Sequence, residues 1–337
     1  MIKTAVVILN YNGEGVLRRF LPSVVQNTPE DVRIIVADNA STDESLALLR
    51  GSEEFERVEI ITLEQNYGFA GGYNRALKMV EAEYYILLNS DVEVTSGWIE
   101  PLILMLESKP QVAAVAPKIL AANNPAEFEY AGASGGYIDI LGYPFCRGRI
   151  LSTVECDNGQ YDDQKQVFWA SGAAFCCRAE LFHSAGGFDE DYFAHMEEID
   201  LCWRLQLAGY DIMVEPRSVV YHLGGGTLPN ESPRKLYLNY RNNLAMLFKC
   251  SPMWQRALVA VLRPACDMVS GVIYLLKGEF SLAGATLQAY IDFFKWHKPL
   301  AQKRRKVRAS VRKESQMIYR GSVVLRYIFR KRFGEMM

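Results

Sequence analysis

The chain of 337 residues contains no C-x-x-C pair, and its seven cysteines are an odd number. These facts exclude a complete disulfide framework and favour a reducing, cytoplasmic compartment. Runs of 18 uncharged apolar residues are also missing, because the most apolar stretch, 257–276, is interrupted by Arg263, Pro264 and Asp267. We therefore expect no transmembrane helix. The chain passes directly into an apolar strand without the basic start of a signal peptide, so none is expected.

Net charge is small, but the basic residues are concentrated at one end. The net charge is −2, yet the segment from Lys295 onward carries 14 Lys or Arg against two Glu, while residues 1–294 carry 23 basic and 37 acidic residues. Such a basic end predicts contact with an anionic partner. Nucleic acid is not expected as that partner, because the body of the chain is acidic.

Apolar strands and helices alternate through the first hundred residues. Strands are predicted at 5–9, 32–37, 58–63 and 84–88, and helices at 16–26, 44–49 and 72–80. Continuous apolar strands joined by helices predict an α/β fold whose parallel sheet is covered on both faces. Such a sheet binds ligands at the carboxyl ends of its strands.

The second half is less regular. Residues 120–165 are rich in Gly, Asn and Asp and predict an irregular insertion over the site. Strands are predicted at 167–177 and 211–216, with a helix at 198–208 between them. After about residue 233 the sequence predicts helices to the end.

Two aspartates follow predicted strands. Asp38 could accept hydrogen bonds from a base or from a ribose hydroxyl, and its alternative role is to support a turn or to cap a helix. Asp91 follows the strand at 84–88, where one carboxylate suffices for Mg²⁺ or Mn²⁺ that also binds phosphate oxygens. The alternative for Asp91 is again a turn residue.

The segment 66–74 combines three glycines with two asparagines ahead of a helix. Glycine permits close approach of the backbone, and a helix N-terminus offers N–H groups to an anionic diphosphate. The fingerprint G-x-G-x-x-G is absent here and after the first strand, which counts against a domain that binds NAD.

Three carboxylates and one histidine are further candidates. Glu197, Glu198 and Asp200 begin a predicted helix, where the helix dipole favours negative charge, and Asp200 can pair with Arg204. In a partly desolvated cleft the pKa of Glu198 would rise to that of a useful general base. His222 follows a strand-like segment, where a histidine is usually structural, but its neutral ring could bind a metal beside a diphosphate.

Eight segments, taken in order, resemble the inverting family 2 glycosyltransferases with the GT-A fold, particularly their rhamnosyltransferase-like branch. The segments are VVILNYNG (6–13), ADNASTD (37–43), QNYGFAGGYN (65–74), LLNSDV (87–92), WASGAAF (169–175), FDEDYFAHMEEIDLCWRLQLAGY (188–210), VVYHLGGGT (219–227) and YLNYRNNLAML (237–247). The resemblance implies a mostly parallel sheet flanked by helices in a catalytic domain over residues 1–250. Its nucleotide-sugar-binding half would end near residue 115, its acceptor half would span 116–250, and a helical basic region would follow at 251–337.

The resemblance also implies roles for individual residues. It implies donor contacts for Tyr11, Asp38, Asn66, Gly68, Asn74, Asn89 and Arg241, metal binding for Asp91 and His222, catalysis for Glu197 and Glu198, and acceptor contacts for Trp169 and Asp200. Asn89 stands where the family's D-x-D motif usually has its first aspartate. Glu198, in a position where aspartate is commoner, is expected to be the base.

The implied reaction is a single displacement with inversion, in which Glu198 deprotonates an acceptor hydroxyl that attacks a nucleotide-sugar. Mg²⁺ or Mn²⁺ would stabilise the departing diphosphate. The leading donor is dTDP-rhamnose, with UDP-sugars next, and the acceptor is a saccharide or a lipid-linked saccharide of cell-surface polysaccharide synthesis. A sugar nucleotidyltransferase is disfavoured, because no Lys or Arg follows the first strand until Arg18. A non-catalytic GT-A-like protein is disfavoured by the presence of Asp91, Glu198 and His222.

The basic end leaves two interpretations open. Leu287, Tyr290, Ile291 and Phe294 recur at helical spacing and predict one apolar face, and residues 303–306 form a basic cluster. The helices could pack on the catalytic domain or on a second subunit of a homo-oligomer. Alternatively, they could attach to the inner face of the cytoplasmic membrane, where lipid-linked acceptors reside.

Overall fold

The computed structural model describes residues 3–224, 232–329 and 333. Two short stretches of segments singled out in the sequence therefore lie outside the described residues. They are positions 225–227, which end the segment around His222, and positions 330–332 of the basic end.

The secondary structure alternates at first and becomes helical after residue 232. The strands are β1 (Thr4–Asn10), β2 (Arg33–Asp38), β3 (Val58–Thr62), β4 (Tyr84–Asn89), β5 (Val92–Val94), β6 (Val112–Ala121), β7 (Asn124–Phe128), β8 (Gly136–Asp139), β9 (Pro144–Cys146), β10 (Arg149–Ile150), β11 (Thr153–Val154), β12 (Lys165–Val167), β13 (Ala174–Arg178), β14 (Asp211–His222) and β15 (Ile318–Tyr319). The helices are α1 (Glu14–Asn27), α2 (Ser45–Gly51), α3 (Gly68–Leu77), α4 (Glu100–Ser108), α5 (Ala179–Ser184), α6 (Glu197–Leu207), α7 (Pro233–Cys250), α8 (Met253–Leu276), α9 (Phe280–Lys295), α10 (His297–Ala309) and α11 (Val323–Phe329).

A central sheet runs in the order β12-β14-β6-β13-β4-β1-β2-β3, with β5 added to β14 and β7 to β6. Strands β3, β2, β1 and β4 are parallel, which confirms the predicted first half. Strand β13 runs antiparallel to both β4 and β6, so the second half of the sheet is mixed.

Both faces of the parallel strands are covered, as their continuous apolar sequences require. Val6 and Ile8 of β1 belong to one buried cluster with Leu17 of α1. The intervening Val7 belongs to the opposite cluster with Tyr73 of α3. Neither face of the parallel strands is exposed to solvent. The polar side chains of the loops after these strands therefore lie at the carboxyl ends of the strands.

The segment 120–165 was predicted to be irregular, and this prediction is wrong in part. Four short strands between residues 136 and 154 form a second sheet in the order β11-β10-β9-β8-β15, whose last strand comes from residues 318–319. Asp139 Oδ2 accepts a hydrogen bond from the Val323 amide at 2.9 Å, which fastens α11 to this sheet. The strands have only two to four residues, too few to show an alternating pattern.

The predicted helical region is confirmed in α7 to α10. Ser232 Oγ accepts a hydrogen bond from the Lys235 amide at 3.2 Å, and Pro233 follows as the first helical residue of α7. Helix α7 packs against α9 and α10, and α8 packs against α9. Among the described residues, α8 is the one helix long and apolar enough to cross a membrane, by length and composition alone.

Candidate active site

The edge at which β1 and β2 end brings the first candidate residues together. Asn10 and Asp38 are partners in the parallel register. The fully buried Asp38 carboxylate accepts hydrogen bonds from Asn10 Nδ2 at 3.0 Å and from the Ser41 amide at 2.9 Å. Tyr11 remains 46% exposed at the same edge. Asp38 therefore has the turn-supporting role that was its alternative, and its contact with a nucleoside stays a prediction, as does that of Tyr11.

The glycine-rich segment is packed onto the loop that precedes α6. Gly68 has a φ of +70°, and a Cβ added there would lie 2.5 Å from the Phe193 ring. Asn66 Oδ1 accepts a hydrogen bond from the Gly68 amide at 2.8 Å. Asn74 exchanges two hydrogen bonds of 2.9 Å with the Phe188 backbone. These residues therefore join two loops, and their contact with a diphosphate stays a prediction.

Asp91 and His222, the two predicted metal ligands, are in contact. Asp91 Oδ1 lies 3.1 Å from His222 Nε2, and Asn89 Nδ2 lies 3.4 Å from the same nitrogen. On the other side of the ring, Nδ1 lies 3.3 Å from Glu129 Oε1. Burial lowers the pKa of His222, but the hydrogen bonds and charges of Asp91 and Glu129 outweigh burial and raise it to about 10. The His222 ring thus lies between two buried carboxylates, and it would bind a cation through Nε2 only in its neutral form.

This pair also suits a divalent cation. A carboxylate oxygen and an imidazole nitrogen that face each other are acceptable ligands for Mg²⁺ or Mn²⁺, which retain water and bind phosphate oxygens. Within the described ranges, no group of three or more His, Cys, Asp or Glu side chains could hold a metal ion. The remaining ligands would therefore have to come from water and from the phosphates of a substrate.

Glu197 and Glu198 begin α6 and are both withdrawn from solvent. Glu197 is buried and Glu198 is half-buried, and neither Oε2 atom has a hydrogen-bond partner in the described part of the chain. Burial raises the pKa of Glu198 to about 7, although backbone hydrogen bonds oppose the shift. Burial and then the charge of Glu198 raise the pKa of Glu197 well above its usual range. The Glu198 carboxylate can therefore take a proton near neutrality, beside a second carboxyl group whose pKa is also raised.

The two glutamates border the same region as the metal-ligand pair. A Cβ added at Gly172 would lie 3.8 Å from Glu198 Cγ. The next residue, Ala173, accepts a hydrogen bond from the Asn89 amide at 2.9 Å. Burial raises the pKa of the Tyr73 hydroxyl. The nearby charges of Asp91, from the metal-ligand pair, and of Glu197, from the glutamate pair, raise this pKa further. The predicted base and the predicted metal ligands are therefore brought together at the carboxyl end of β4.

Residues 188–196, here called the catalytic loop, lead into α6 through strained backbone. Phe193, His195 and Met196 have φ values of 65°, 69° and 72°, a region that non-glycine residues rarely occupy. Asn242 Nδ2 donates to three carbonyl oxygens of the loop at 3.0, 2.9 and 2.8 Å. Arg241 donates to two of its carbonyl oxygens at 3.2 Å. Arg241 therefore supports the loop, and its contact with the donor stays a prediction.

A buried ionic network fixes the other side of the catalytic loop. Lys249 Nζ lies 2.6 Å from Asp189 and 2.7 Å from Asp200. Lys303 of α10 pairs with Asp189 as well and with Asp191 at 2.7 Å. Burial alone would raise the pKa of Asp189, but the two ammonium charges outweigh burial and hold the pKa well below its usual range.

Two predicted acceptor residues have to be corrected. Trp169 is only 3% exposed, its Nε1 donates to the Tyr137 carbonyl at 3.0 Å, and a Cβ added at Gly136 would lie 1.9 Å from its ring. Asp200 is fully buried, and Arg204 Nε donates to its carboxylate at 2.7 Å. Neither side chain presents a surface on which a sugar could lie.

Several residues that build the site were missed by sequence reasoning. Asn10 had the same signal as Asp38, since each is the polar residue that ends a buried strand. Glu129 had none, because it lies in a segment without periodicity. Lys303 was assigned to a cluster facing an anionic partner, whereas it pairs with Asp189, 114 positions away.

Comparisons with known proteins agree with this architecture. Residues 5–150 match the profile described as "Glycosyl transferase family 2". The sequence is 26% identical over 270 residues to the N-acetylglucosaminyl-diphospho-decaprenol L-rhamnosyltransferase of Mycobacterium tuberculosis, covering 75% of this chain and 86% of that protein.

Two solved structures show the same fold. The mannosyltransferase of Pyrobaculum calidifontis, in complex with GDP-Man and Mn²⁺, has a TM-score of 0.54 at 12% identity and covers 87% of each chain. TarS 1–349 of S. aureus, in complex with UDP-GlcNAc, has a TM-score of 0.59 at 16% identity and covers 91% of this chain and 88% of that one.

Fold and comparisons together define a glycosyltransferase with the GT-A architecture. More narrowly, residues 5–150 match glycosyltransferase family 2, and the chain is similar to a rhamnosyltransferase. The resemblance stated from the sequence is confirmed.

Proposed function

We propose that the protein transfers a sugar, with inversion and with the help of a divalent cation, from a nucleoside-diphosphate donor to a hydroxyl of a saccharide or lipid-linked saccharide. The observation that carries this proposal is the half-buried Glu198 carboxylate, whose pKa is raised to about 7, in the region that Asp91 and His222 also border. A base and a site for a diphosphate-bound cation are the two components that such a transfer needs.

In the proposed reaction, the Glu198 carboxylate takes the proton of the acceptor hydroxyl. The oxygen of that hydroxyl forms a bond to the anomeric carbon while the bond from this carbon to the diphosphate oxygen breaks. The nucleoside diphosphate leaves from the opposite face, so the configuration at the anomeric carbon is inverted. A divalent cation bound by Asp91 and His222 would supply positive charge to the departing diphosphate.

The proposed donor is dTDP-rhamnose, with UDP-sugars as the second choice. The first is supported by the 26% identity to a rhamnosyltransferase whose name specifies a lipid-linked acceptor. The second is supported by the shared fold of a structure solved with UDP-GlcNAc. We further propose that the reaction takes place in the cytoplasm, at the inner face of the cytoplasmic membrane, in the synthesis of a cell-surface polysaccharide.

The test is hydrolysis of a panel containing dTDP-rhamnose, UDP-GlcNAc and GDP-mannose, followed as release of nucleoside diphosphate with Mn²⁺ or with excess chelator. We expect one donor to be turned over, only with the cation, and Glu198→Gln to abolish the turnover. Formation of a nucleotide-sugar from a nucleoside triphosphate would instead indicate a nucleotidyltransferase. Tight binding of a donor without turnover, with every acceptor offered, would indicate a binding protein.

A further inference from the structure

Helix α8 exposes a long side that carries no charge. Its exposed large apolar residues include Val261, Met268, Val269, Val272, Leu275 and Leu276, with exposed fractions from 48% to 83%. Between Ala257 and Leu276 the charged side chains are Arg263 and Asp267, and the half-buried Cys266 and Tyr274 are neutral at neutral pH. A monomeric soluble protein rarely leaves so continuous an apolar surface open to water.

The two charged residues between Ala257 and Leu276 point into the protein. Arg263 Nε donates to Asp267 at 2.9 Å, and Tyr143 and Tyr290 donate their hydroxyls to the Asp267 carboxylate, both at 2.7 Å. Arg263 also donates to the carbonyl of Leu141 at 3.0 Å. To cross a membrane, α8 would have to leave this network and carry both charges into hydrocarbon, which is costly. The geometry therefore favours a helix that lies along a surface.

Helix α9 extends the apolar side. Phe280, Leu287, Ile291 and Phe294 are 70%, 65%, 40% and 65% exposed and recur at spacings of seven, four and three, so they share one helix face. Tyr290, the other member of the predicted apolar face, instead binds Asp267. Since α8 packs against α9, their exposed apolar residues belong to neighbouring helices.

Exposed basic residues flank these helices. Lys277 follows α8, Lys295 ends α9, and Lys298, Arg305 and Lys306 are exposed on α10. Residues 1–294, in contrast, carry 37 acidic against 23 basic residues. An anionic surface would attract the basic end and repel the acidic body. The protein would therefore bind that surface with α8 to α10 towards it and the acidic body away from it. A dimer formed through this side would instead place the basic residues of one copy against the basic residues of the other, and like charges repel.

We propose that the exposed apolar side of α8 and α9 lies in the interface of an anionic lipid bilayer, with the basic residues of α10 at the headgroups. The helices attach to one leaflet and do not span it. This proposal deepens the membrane location proposed above and needs no sugar donor, so its failure would remove that location and leave the proposed transfer reaction untouched.

Flotation of the full chain with phosphatidylcholine vesicles, with and without phosphatidylglycerol, tests the proposal. Removal of the end of the chain is not a suitable test, because Lys303 supports the catalytic loop. The test variant is Met268→Glu with Leu276→Glu, at positions 67% and 83% exposed. The matched control is Met79→Glu with Leu104→Glu, at positions 63% and 49% exposed elsewhere on the protein.

We expect the wild type and the control to float with anionic vesicles and the test variant to bind at least about tenfold more weakly. Replacing Lys298 and Arg305 by alanine should weaken binding about fivefold for each charge. All forms should keep the same thermal midpoint and the same donor hydrolysis in solution.

Three results would overturn the proposal. One is a wild type that stays in solution with every vesicle at low salt, or a test variant that binds like the control. The second is a dimer that the test variant dissociates while no form binds vesicles, which would show that a second copy covers this side. The third is retention on vesicles after an alkaline wash, which would indicate a spanning helix.

Discussion

The two sides of the active site are built in different ways. The metal-ligand side consists of residues at strand ends: Asp91 lies between β4 and β5, and His222 ends β14, which pairs with β5. The base side consists of Glu197 and Glu198, whose preceding loop is held by side chains of α7 and α10. The sheet thus fixes the first side directly, whereas the second depends on contacts with helices far along the chain. Loss of a remote contact should therefore affect proton transfer more than donor binding.

The largest effect should come from removing the base. In Glu198→Gln the amide keeps the shape of the side chain but cannot take a proton, so kcat should fall by about 10²–10⁴ while the dissociation constant of the donor stays the same. Steady-state kinetics and calorimetric titration measure the two quantities. Glu197→Gln is the control, and if it is inactive while Glu198→Gln turns over normally, the wrong member of the pair has been assigned.

On the other side, Asp91→Asn should weaken binding of the nucleoside diphosphate as well as turnover. A neutral amide is a poor ligand for a hard cation, so the affinity with Mn²⁺ present should drop at least about tenfold. Calorimetric titration with and without Mn²⁺ measures this loss, and Asp31→Asn, at an exposed position, is the control. If Asp91→Asn binds the nucleoside diphosphate with wild-type affinity in the presence of Mn²⁺, Asp91 is not a metal ligand.

A substitution on α10 should affect the base side of the site and leave the metal-ligand side unchanged. Lys303→Met removes one of the two ammonium groups paired with Asp189, and the catalytic loop should then position Glu198 less well. We expect about a tenfold fall in kcat with an unchanged KM for the donor, because misplacement of a catalytic group affects the reacting geometry. The matched control is Lys306→Met, at an exposed position on the same helix. Equal changes in kcat and KM for Lys303→Met would contradict the division between the two sides.

Activity should increase with pH through the pKa of the base. Since burial raises the pKa of Glu198 to about 7, the carboxylate form that accepts a proton is populated only above that value. The profile of kcat/KM should therefore rise by about tenfold for each pH unit below the pKa and level off above it. A profile that is flat from pH 5 to pH 8, at about unit intervals, would exclude this assignment.

The last effect concerns stability rather than activity. The pKa of Glu198 is raised in the folded state from its ordinary value of 4.5 to about 7, so the stabilisation is complete below the lower value and is lost as pH rises through the upper one. Glu198→Gln should therefore raise the free energy of unfolding at about pH 8 by up to about 3 kcal/mol. Thermal unfolding at about pH 8 and pH 4 checks the sign, because the gain should disappear at the lower pH.

The same division explains what could be predicted from the sequence. Asn10 and Asp38 end apolar strands and Asp91 lies two residues beyond one. Parallel strands bring their ends to one edge, so the neighbourhood of these residues follows from local patterns. The pairing of Lys303 with Asp189 spans 114 positions and leaves no periodic signal.

Side-chain orientation was the other limit. The sequence does not distinguish an aromatic side chain whose ring face is exposed from one whose ring face is buried. The burial of Trp169 is decided by Gly136, 33 positions away, which leaves room for the ring.

Strand β15 has a consequence for the order in which the protein becomes active during synthesis. The central sheet is complete once β14 has left the ribosome, but the sheet formed by residues 136–154 waits for Ile318 and Tyr319. The catalytic loop likewise waits for Lys303. A nascent chain that has already folded its central sheet should therefore be catalytically silent until residues 303–319 have been translated.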